Sequence, residues 1–479
     1  MKKNFTSTLV MLSVLIGLVG WYVLYEEKYR PESKEKEEQT KKLISLDPDQ
    51  VTEFRLTRLK NPPPENSTTP TLNAEYETIE VKKTGPDWFI ISPVQTKGDN
   101  STISSLLSSV CSLKQERTVE EKPKDLTIFG LKDPIFKIAL KKDSTSPAQE
   151  VWVGSNTPVA YSLYAKTHPS EEVFKTSRTL RSALDKDLFA LRDKSLVNLN
   201  RNELSEVEIQ NSKENIVLSR SGNNLKEEWT LSRENLPADS SEWNKTLTPL
   251  IELKASKIAS EKAEGLAVFG LNKPIAKITF VKSDKTRTVL LIGKVKTSLF
   301  AKLEDGETIS EVDKTLEEKI TTKASQYRNK HIANFDRFEI KKIKLLRGAE
   351  TLELTKNDNS NWVFADDLSA KIDSSQVDSF LTKLQDIQLT KYLTEGPKVA
   401  MEKANLKVSL YEKSEQGEKE VLNLAFVKNT GNQVKGQKTG LPVQFEMNID
   451  DFNKLNIFKQ TLIKTEDKPK EADKLQKKS

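Results

Sequence analysis

The stretch "FGLKDPIFKIAL", Phe129 to Leu140, is written a second time as "FGLNKPIAKITF", Phe269 to Phe280. In both copies a glycine follows the phenylalanine and predicts a backbone turn that a side chain would hinder. A proline then ends the turn and leads into a strand of spaced apolar residues. The repetition therefore indicates one structural element used twice. Its recurring positions are Phe129, Gly130, Leu131, Pro134, Phe269, Gly270, Leu271 and Pro274.

A tryptophan strand precedes each copy, and a third tryptophan extends the pattern. Trp88 lies 41 residues before Phe129, Trp229 lies 40 before Phe269, and Trp362 lies about 40 before "MEKANLKVSLYEK". That third stretch lacks Phe-Gly-Leu but keeps the spacing. Before each tryptophan, apolar residues alternate in short runs, which predicts paired strands with one buried face. Spacing of this kind is typical of tandem repeats.

A helix start follows each tryptophan by ten or eleven residues. Asp99, Asp239 and Asp373 stand where a carboxylate can accept hydrogen bonds from first-turn amides. In the second and third copies, Glu242 and Gln376 are spaced to complete a capping box. Apolar residues three and four apart then predict that one face of each helix packs on a sheet.

Together these patterns predict an α+β fold of three tandem repeats, each made of antiparallel strands with packed helices. Repeat 1 covers residues 48–198, repeat 2 covers 200–334, and a degenerate repeat 3 covers 335–463. The recurring residues are apolar or turn-forming, and almost no ionisable residue recurs in all three copies apart from the cap aspartates. That pattern is typical of a scaffold, because a site used in triplicate would repeat its charges.

The N-terminus predicts a single membrane-spanning helix. Residues 1–25 carry no charge between Thr8 and Tyr25, about the length that spans a bilayer. Lys2 and Lys3 favour an N-terminus inside, which would place the bulk of the chain outside the cytoplasm at the cytoplasmic (inner) membrane. A cleaved signal peptide is the rival interpretation, but no typical cleavage site follows. Residues 26–47 read as a charged stalk and 464–479 as a disordered tail.

Composition narrows the classes of function. The 479 residues carry a net charge of +6 without a basic face clustered with aromatics, so nucleic-acid binding is not expected. Cys111 is the one cysteine, in an apolar helical pattern, and is expected to be a buried thiol. His168 and His331 lie in no ligand or triad motif, so no metal, cofactor or catalytic residue is predicted. The adjacent acids Asp366 and Asp367 are expected to be solvated.

The order of motifs resembles a known family. "VTEFRL" at Val51 to Leu56 precedes "WFIISP" at Trp88, "FGLKDP" at Phe129, "VWVG" at Val151 and "LRDKSL" at Leu191. Over most of its length the chain resembles the bacterial family called domain of unknown function 4340. The resemblance implies a membrane-anchored accessory protein associated with ABC-transporter permeases and gliding-motility-type auxiliary proteins. It assigns no catalytic residues.

Three hypotheses of function follow. The first is a membrane-anchored scaffold or accessory protein of an ABC-transporter-type or envelope complex, whose partners are the membrane and its proteins. The second is a module that binds envelope glycan or peptide through exposed aromatics, with Trp152 and Tyr161 or Tyr164 as candidates. The third is an enzyme, which would need an acid and a base in a shared cleft.

Overall fold

A computed structural model describes residues 3–28, 42–62, 75–158, 162–220, 228–394, 398, 400, 402–414, 417–428 and 431–464. Tyr161, most of the stalk, most of the loop inserted after Asn61 and the tail beyond Lys464 lie outside these residues. The chain forms two compact parts, residues 1–194 and 195–479. The sheet of repeat 1 lies in the first part, and the sheets of repeats 2 and 3 lie in the second.

The N-terminal segment forms helix α1 (Lys3–Lys28). Its apolar side chains are open to solvent along the part whose side chains are described; Leu15, Ile16, Trp21 and Leu24, for example, are exposed. No helix within the described residues combines the length and hydropathy that crossing a membrane requires. The membrane-spanning helix therefore stays a prediction.

Within its described residues, repeat 1 forms a nine-stranded sheet and three α-helices. Its strands are β1 (Glu53–Leu59), β2 (Tyr76–Thr84), β3 (Asp87–Ser92), β4 (Thr96–Lys97), β5 (Arg117–Glu120), β6 (Phe136–Lys141), β7 (Gln149–Asn156), β8 (Ser162–His168) and β9 (Val173–Ser177). Its helices are α2 (Asn100–Cys111), α3 (Thr179–Leu184) and α4 (Leu188–Leu191).

The strand order in repeat 1 is β4-β3-β2-β1-β6-β7-β8-β9-β5, and every neighbouring pair is antiparallel. The first strand therefore lies near the middle of the sheet, between its hairpin partner β2 and the strand β6 that follows the Phe-Gly-Leu turn. The short strand after the helix, β5, crosses to the far edge and pairs with β9. Because the chain crosses the sheet between β4 and β5, helix α2, which connects them, packs on one face of the sheet.

Repeat 2 has the same order, β13-β12-β11-β10-β15-β16-β17-β18-β14. Its strands are β10 (Leu204–Asn211), β11 (Asn215–Arg220), β12 (Trp229–Leu231), β13 (Leu236–Pro237), β14 (Lys257–Ser260), β15 (Ala276–Lys282), β16 (Arg287–Val295), β17 (Ser298–Leu303) and β18 (Ile309–Val312). Its helices are α5 (Ser240–Ile251) and α6 (Leu316–Ile320).

Repeat 3 has an eight-stranded sheet in the order β21-β20-β19-β23-β24-β25-β26-β22. Its strands are β19 (Ile340–Arg347), β20 (Glu350–Lys356), β21 (Trp362–Phe364), β22 (Leu389–Leu393), β23 (Leu406–Ser414), β24 (Gly417–Lys428), β25 (Gln433–Lys438) and β26 (Gln444–Asn448). Its helices are α7 (Ser374–Asp386), α8 (Ile449–Asn453) and α9 (Lys459–Leu462).

The structure thus confirms an α+β fold with three antiparallel sheets. Each sheet lies inside one of the repeats drawn from the sequence, whose outer boundaries stay predictions. One face of each sheet is buried under the apolar stripe of its long helix, because alternate strand residues point to opposite faces. In α2 the buried stripe is Ile103, Leu106, Leu107, Val110 and Cys111, and in α7 it is Val377, Phe380, Leu381 and Leu384.

Candidate functional site

The Phe-Gly-Leu stretch forms a 3-10 turn that ends in a left-handed glycine. The turns run over Thr127–Phe129 and Leu266–Phe269, followed by Gly130 at φ 63° and Gly270 at φ 71°. L-residues with a side chain rarely adopt this backbone conformation, so the turn requires glycine at this position. The prediction made from the sequence named this glycine for the correct physical reason.

A second glycine, whose contact with the turn was not predicted from the sequence, lies directly against it. A Cβ on Gly154 of β7 would overlap the Phe129 carbonyl oxygen and lie 3.0 Å from Leu131 Cγ. A Cβ on Gly293 of β16 would overlap the Phe269 carbonyl oxygen and lie 2.7 Å from the Gly270 carbonyl carbon. From the sequence, "VWVG" at Val151 to Gly154 and "LLIG" at Leu290 to Gly293 predict strands that end in the glycine, and this prediction is wrong because β7 and β16 both continue beyond it. The glycine instead makes room for the turn.

Repeat 3 has lost both halves of this contact. The strand register places Val427 of β24 where β7 has Gly154 and β16 has Gly293. A valine side chain there would collide with a Phe-Gly-Leu turn, and the sequence of repeat 3 contains no Phe-Gly-Leu. The turn and the strand glycine therefore form one packing unit, present in repeats 1 and 2.

Each tryptophan of the repeat lies in the core opposite a basic residue. Trp88, Trp229 and Trp362 are buried. Their cross-strand partners are Lys83, Arg220 and Lys356. The Lys83 ammonium lies 5.7 Å from the Trp88 ring centroid and that of Lys356 lies 5.0 Å from Trp362, within the range of a cation–π contact. Besides the cap aspartates, one basic position therefore recurs in all three repeats, which the sequence pattern did not reveal.

The recurring aspartates lie at the start of the long helices. Asp99 accepts a hydrogen bond from the Thr102 amide, Asp239 from the Ser241 and Glu242 amides, and Asp373 from the Ser375 amide. The Ser375 hydroxyl and amide also lower the pKa of Asp373. Glu242 does not act as a capping-box residue, because its carboxylate accepts from Lys245 Nζ at 2.7 Å.

The same aspartates also hold the closing segment of each repeat through their main chain. The amides of Asp99, Asp239 and Asp373 donate to the carbonyls of Leu191, Tyr327 and Leu462 at 2.8, 2.7 and 2.8 Å. One residue earlier and one later, isolated bridges join Gly98 to Arg192, Ala238 to Arg328 and Ile372 to Ile463. The similar sequences "LRDKSL" at Leu191 and "YRNKHI" at Tyr327, which close repeats 1 and 2, thus have the same structural role.

The aromatic candidates of repeat 1 lie on the outer face of its sheet. Trp152 is half-buried between strands, and its indole N–H donates to the Glu150 carboxylate at 3.1 Å. The His168 ring is stacked on it, with centroids 5.8 Å apart. Tyr164 makes an edge-on contact with Phe129, 5.1 Å between centroids. This face therefore gathers two of the three aromatics named from the sequence.

Two lysines flank the same indole. Lys137 and Lys166 are its cross-strand neighbours, and their Nζ atoms lie 4.5 and 5.1 Å from the Trp152 centroid. Lys166 is only 7% exposed, and neither ammonium has an acidic partner within salt-bridge distance among the described residues. In repeat 2 the equivalent Lys302 donates to two carbonyls at 2.8 Å. The cluster in repeat 1 thus keeps free donor capacity beside an aromatic surface.

The other residues considered for catalysis or metal binding do not lie together in one site. Cys111 is buried in α2, and burial raises the pKa of its thiol to about 11. His168 lies on the sheet of repeat 1, whereas His331 hydrogen-bonds to the Gln385 carbonyl in repeat 3. Asp366 binds Lys459 at 2.9 Å, and Asp367 caps the turn at Ser369. Across the described residues, no group of three or more His, Cys, Asp or Glu side chains could hold a metal ion.

Fold and recurring contacts define a class, a tandem-repeat protein of antiparallel sheets. The model of the family described as Domain of unknown function (DUF4340) matches residues 88–232 and 229–408, more than half of the chain. The chain therefore belongs to this family, as the order of its motifs suggested. No curated protein and no solved structure matches it.

Proposed function

We propose that the protein is a membrane-anchored, extracytoplasmic scaffold or accessory subunit of an ABC-transporter-type or other envelope complex, without catalysis of its own. One observation carries this proposal. The residues that recur between repeats make contacts that build the fold. The strand glycine packs against the turn, a basic residue lies opposite the tryptophan, and the aspartate caps the long helix. The repeated part of the sequence thus stabilises the fold of each repeat. A scaffold protein requires such a stable fold to bind its partners.

The anchor is part of the proposal. It rests on the uncharged run from Thr8 to Tyr25 and on the exposed apolar side chains of α1. Apolar surface of this extent is unfavourable in water, so it needs lipid or a protein partner. Lys2 and Lys3 favour an N-terminus in the cytoplasm and the repeats on the other side of the inner membrane.

The test is an affinity purification of the full-length protein from membranes in mild detergent, read by mass spectrometry. A variant lacking residues 1–25 is the control. We expect ABC-type permease or envelope subunits to be enriched with the full-length chain, and the control to show whether the anchor or the repeats hold them. Recovery of the protein alone after gentle crosslinking contradicts the scaffold proposal.

A second candidate function is favoured by the Trp152 cluster. The lysines Lys137 and Lys166 place two cations beside one aromatic ring, and among the described residues neither forms a salt bridge. A carboxylate-bearing envelope glycan or peptide suits such a surface, because its anionic group can accept charge-assisted hydrogen bonds while an apolar part contacts the indole. Glu150 beside the ring would disfavour ligands whose charge lies close to the indole N–H.

This candidate is tested with an acidic polysaccharide and a neutral one of similar size. We expect the acidic polymer alone to change the fluorescence of the wild-type protein, and Lys166→Gln and Trp152→Phe to weaken that change. Lys302→Gln is the matched control, since it alters the equivalent position in repeat 2. Equal binding of both polymers, or equal effects of the two lysine variants, removes the candidate.

A further inference from the structure

The outer face of the sheet of repeat 2 carries a groove with charged walls. It encloses about 450 Å³, within the range of small-molecule sites, about 300–1,000 Å³. Across β11, β10, β15 and β16 the strand register places Ser219, Glu206, Val281 and Arg287 in one row. Directly opposite residues of antiparallel strands lie on the same face, so this row forms the floor and walls of the groove. The other lining residues are Ser205, Arg220 and Lys285.

The charge on this row is neutralised within the sheet in the other two repeats. In repeat 1 the residue equivalent to Glu206 is Glu53, which forms a 2.7 Å salt bridge with its cross-strand partner Lys82. In repeat 3 it is Lys342, which pairs with Glu353 at 2.8 Å. Each of the three equivalent residues comes directly before the alternating buried residues of the first strand of its sheet.

Repeat 2 lacks this internal pairing. Ser219 lies opposite Glu206 where repeat 1 has a lysine, and among the described residues Glu206, Lys285 and Arg287 form no salt bridge. The Ser219 hydroxyl accepts a hydrogen bond from Ser232 Oγ at 2.8 Å, so its own proton can be donated elsewhere. The groove thus offers one acid, two cations and a hydroxyl donor to a ligand.

Hydrogen bonds hold the hairpin that carries the two cations. The Ser205 hydroxyl donates to the carbonyls of Val281 and Lys282, at 3.2 and 3.0 Å. The Ser283 amide donates to the Glu203 carbonyl at 2.8 Å. The turn between β15 and β16 is therefore fixed against the start of β10, and the walls of the groove are formed in advance of any ligand.

We propose that this groove binds an acidic amino acid, a small ligand with two carboxylates and one ammonium group. Lys285 and Arg287 each suit a carboxylate, and Glu206 suits the ammonium group. Neighbouring strands lie about 4.8 Å apart, so Glu206 and Arg287 flank a ligand placed over Val281 from opposite sides. With Arg220 the lining carries three cations and one acid, which complements a ligand with more carboxylates than ammonium groups.

Equilibrium dialysis of the full-length protein in a non-ionic detergent tests this proposal, with radiolabelled L-glutamate as the probe. We expect saturable binding with a Kd below about 1 mM. L-glutamine lacks one carboxylate and glutarate lacks the ammonium group, so both should compete at least about fivefold more weakly than unlabelled L-glutamate. Absence of saturable binding in this range, or glutarate that competes as well as L-glutamate, overturns the proposal.

Two lysines in neighbouring hairpins provide a matched pair of variants. Lys285 and Lys296 are both exposed and both have a left-handed backbone, at φ 70° and φ 53°, but only Lys285 lines the groove. Substitution by glycine removes one charge and relieves the same backbone strain at either position. We expect Lys285→Gly to raise the Kd for L-glutamate about fivefold and Lys296→Gly to leave it unchanged. Equal effects would reflect net charge alone and would exclude the site.

The variant Glu206→Gln separates contact with the ligand from an effect on the fold. The amide loses the charge that holds the ammonium group and also removes the repulsion of a nearby carboxylate. We therefore expect Glu206→Gln to weaken L-glutamate binding about fivefold and to strengthen glutarate binding. A parallel loss of both ligands would show that Glu206 acts through the fold, and the assignment of the groove would be wrong.

Discussion

Substituting Gly293 by alanine adds one methyl group where β16 and the Phe-Gly-Leu turn of repeat 2 approach most closely. The new Cβ would overlap the Phe269 carbonyl oxygen and lie 2.7 and 2.9 Å from the carbonyl carbon and oxygen of Gly270. These are all backbone atoms, so no side-chain rotation relieves the contact. Carbon atoms pack best at about 3.5–4.0 Å, so the turn must move by roughly 1 Å.

The cost has two parts. Inserting a methyl group into a well-packed site costs about 1–3 kcal/mol. A displaced turn also weakens the edge-on contact of Phe269 with Phe300, whose centroids lie 5.2 Å apart, and such pairs contribute about 0.5–1.5 kcal/mol. We therefore expect Gly293→Ala to lower the free energy of unfolding of repeat 2 by about 3 kcal/mol.

Urea denaturation followed by tryptophan fluorescence measures this loss, since Trp229 and Trp243 are buried in repeat 2. Hydrogen exchange of the amides of residues 266–295 shows whether the loss of stability lies in the turn and in β16. Gly265→Ala is the control: at φ 62°, with Val268 Cγ2 as its nearest atom at 3.9 Å, it adds backbone strain of about 1 kcal/mol without a collision. A Gly293→Ala protein within about 0.5 kcal/mol of the wild type would refute the packing argument.

Three further outcomes are expected. Asp239→Ala should lower the free energy of unfolding by about 1 kcal/mol in a urea titration, and Asp239→Asn should retain most of it, because an amide oxygen still caps the helix. The Cys111 thiol should resist alkylation at pH 8 until the protein unfolds; since its pKa rises from 9.0 to about 11 on folding, stability should fall as pH increases between those values. Val427→Gly should change the urea midpoint little, whereas Gly154→Val, the reverse exchange in repeat 1, should abolish cooperative unfolding of that repeat.

Local features were predictable from the sequence because they depend on few neighbouring residues. Glycine after a 3-10 turn, aspartate before a helix and alternating apolar residues each have a local physical cause. The positions of Gly130, Asp99 and Trp88 illustrate this. Their roles could be written down before any contact was known.

Features that depend on register could not be predicted in this way. The short strand β5 pairs with β9, more than fifty residues later, and its few residues carry no alternation that would reveal a partner. The basic residue opposite each tryptophan is hidden for a related reason: Lys83 precedes Trp88 by five residues, whereas Arg220 precedes Trp229 by nine. Only the strand pairing shows that they are equivalent.

The segments that the family model matches start at a different point of the repeat from the sheets. Both matches begin at a tryptophan, Trp88 and Trp229, and each extends into the next sheet. In a tandem array the sequence repeat can be counted from either starting point. A complete sheet, however, is obtained from only one of them. Because β1 lies between β2 and β6, a segment that starts at Trp88 lacks the strand on which both halves of the sheet depend. Each sheet therefore begins at that strand, 35, 25 and 22 residues before the tryptophan in repeats 1, 2 and 3, and the matched segments each join parts of two sheets.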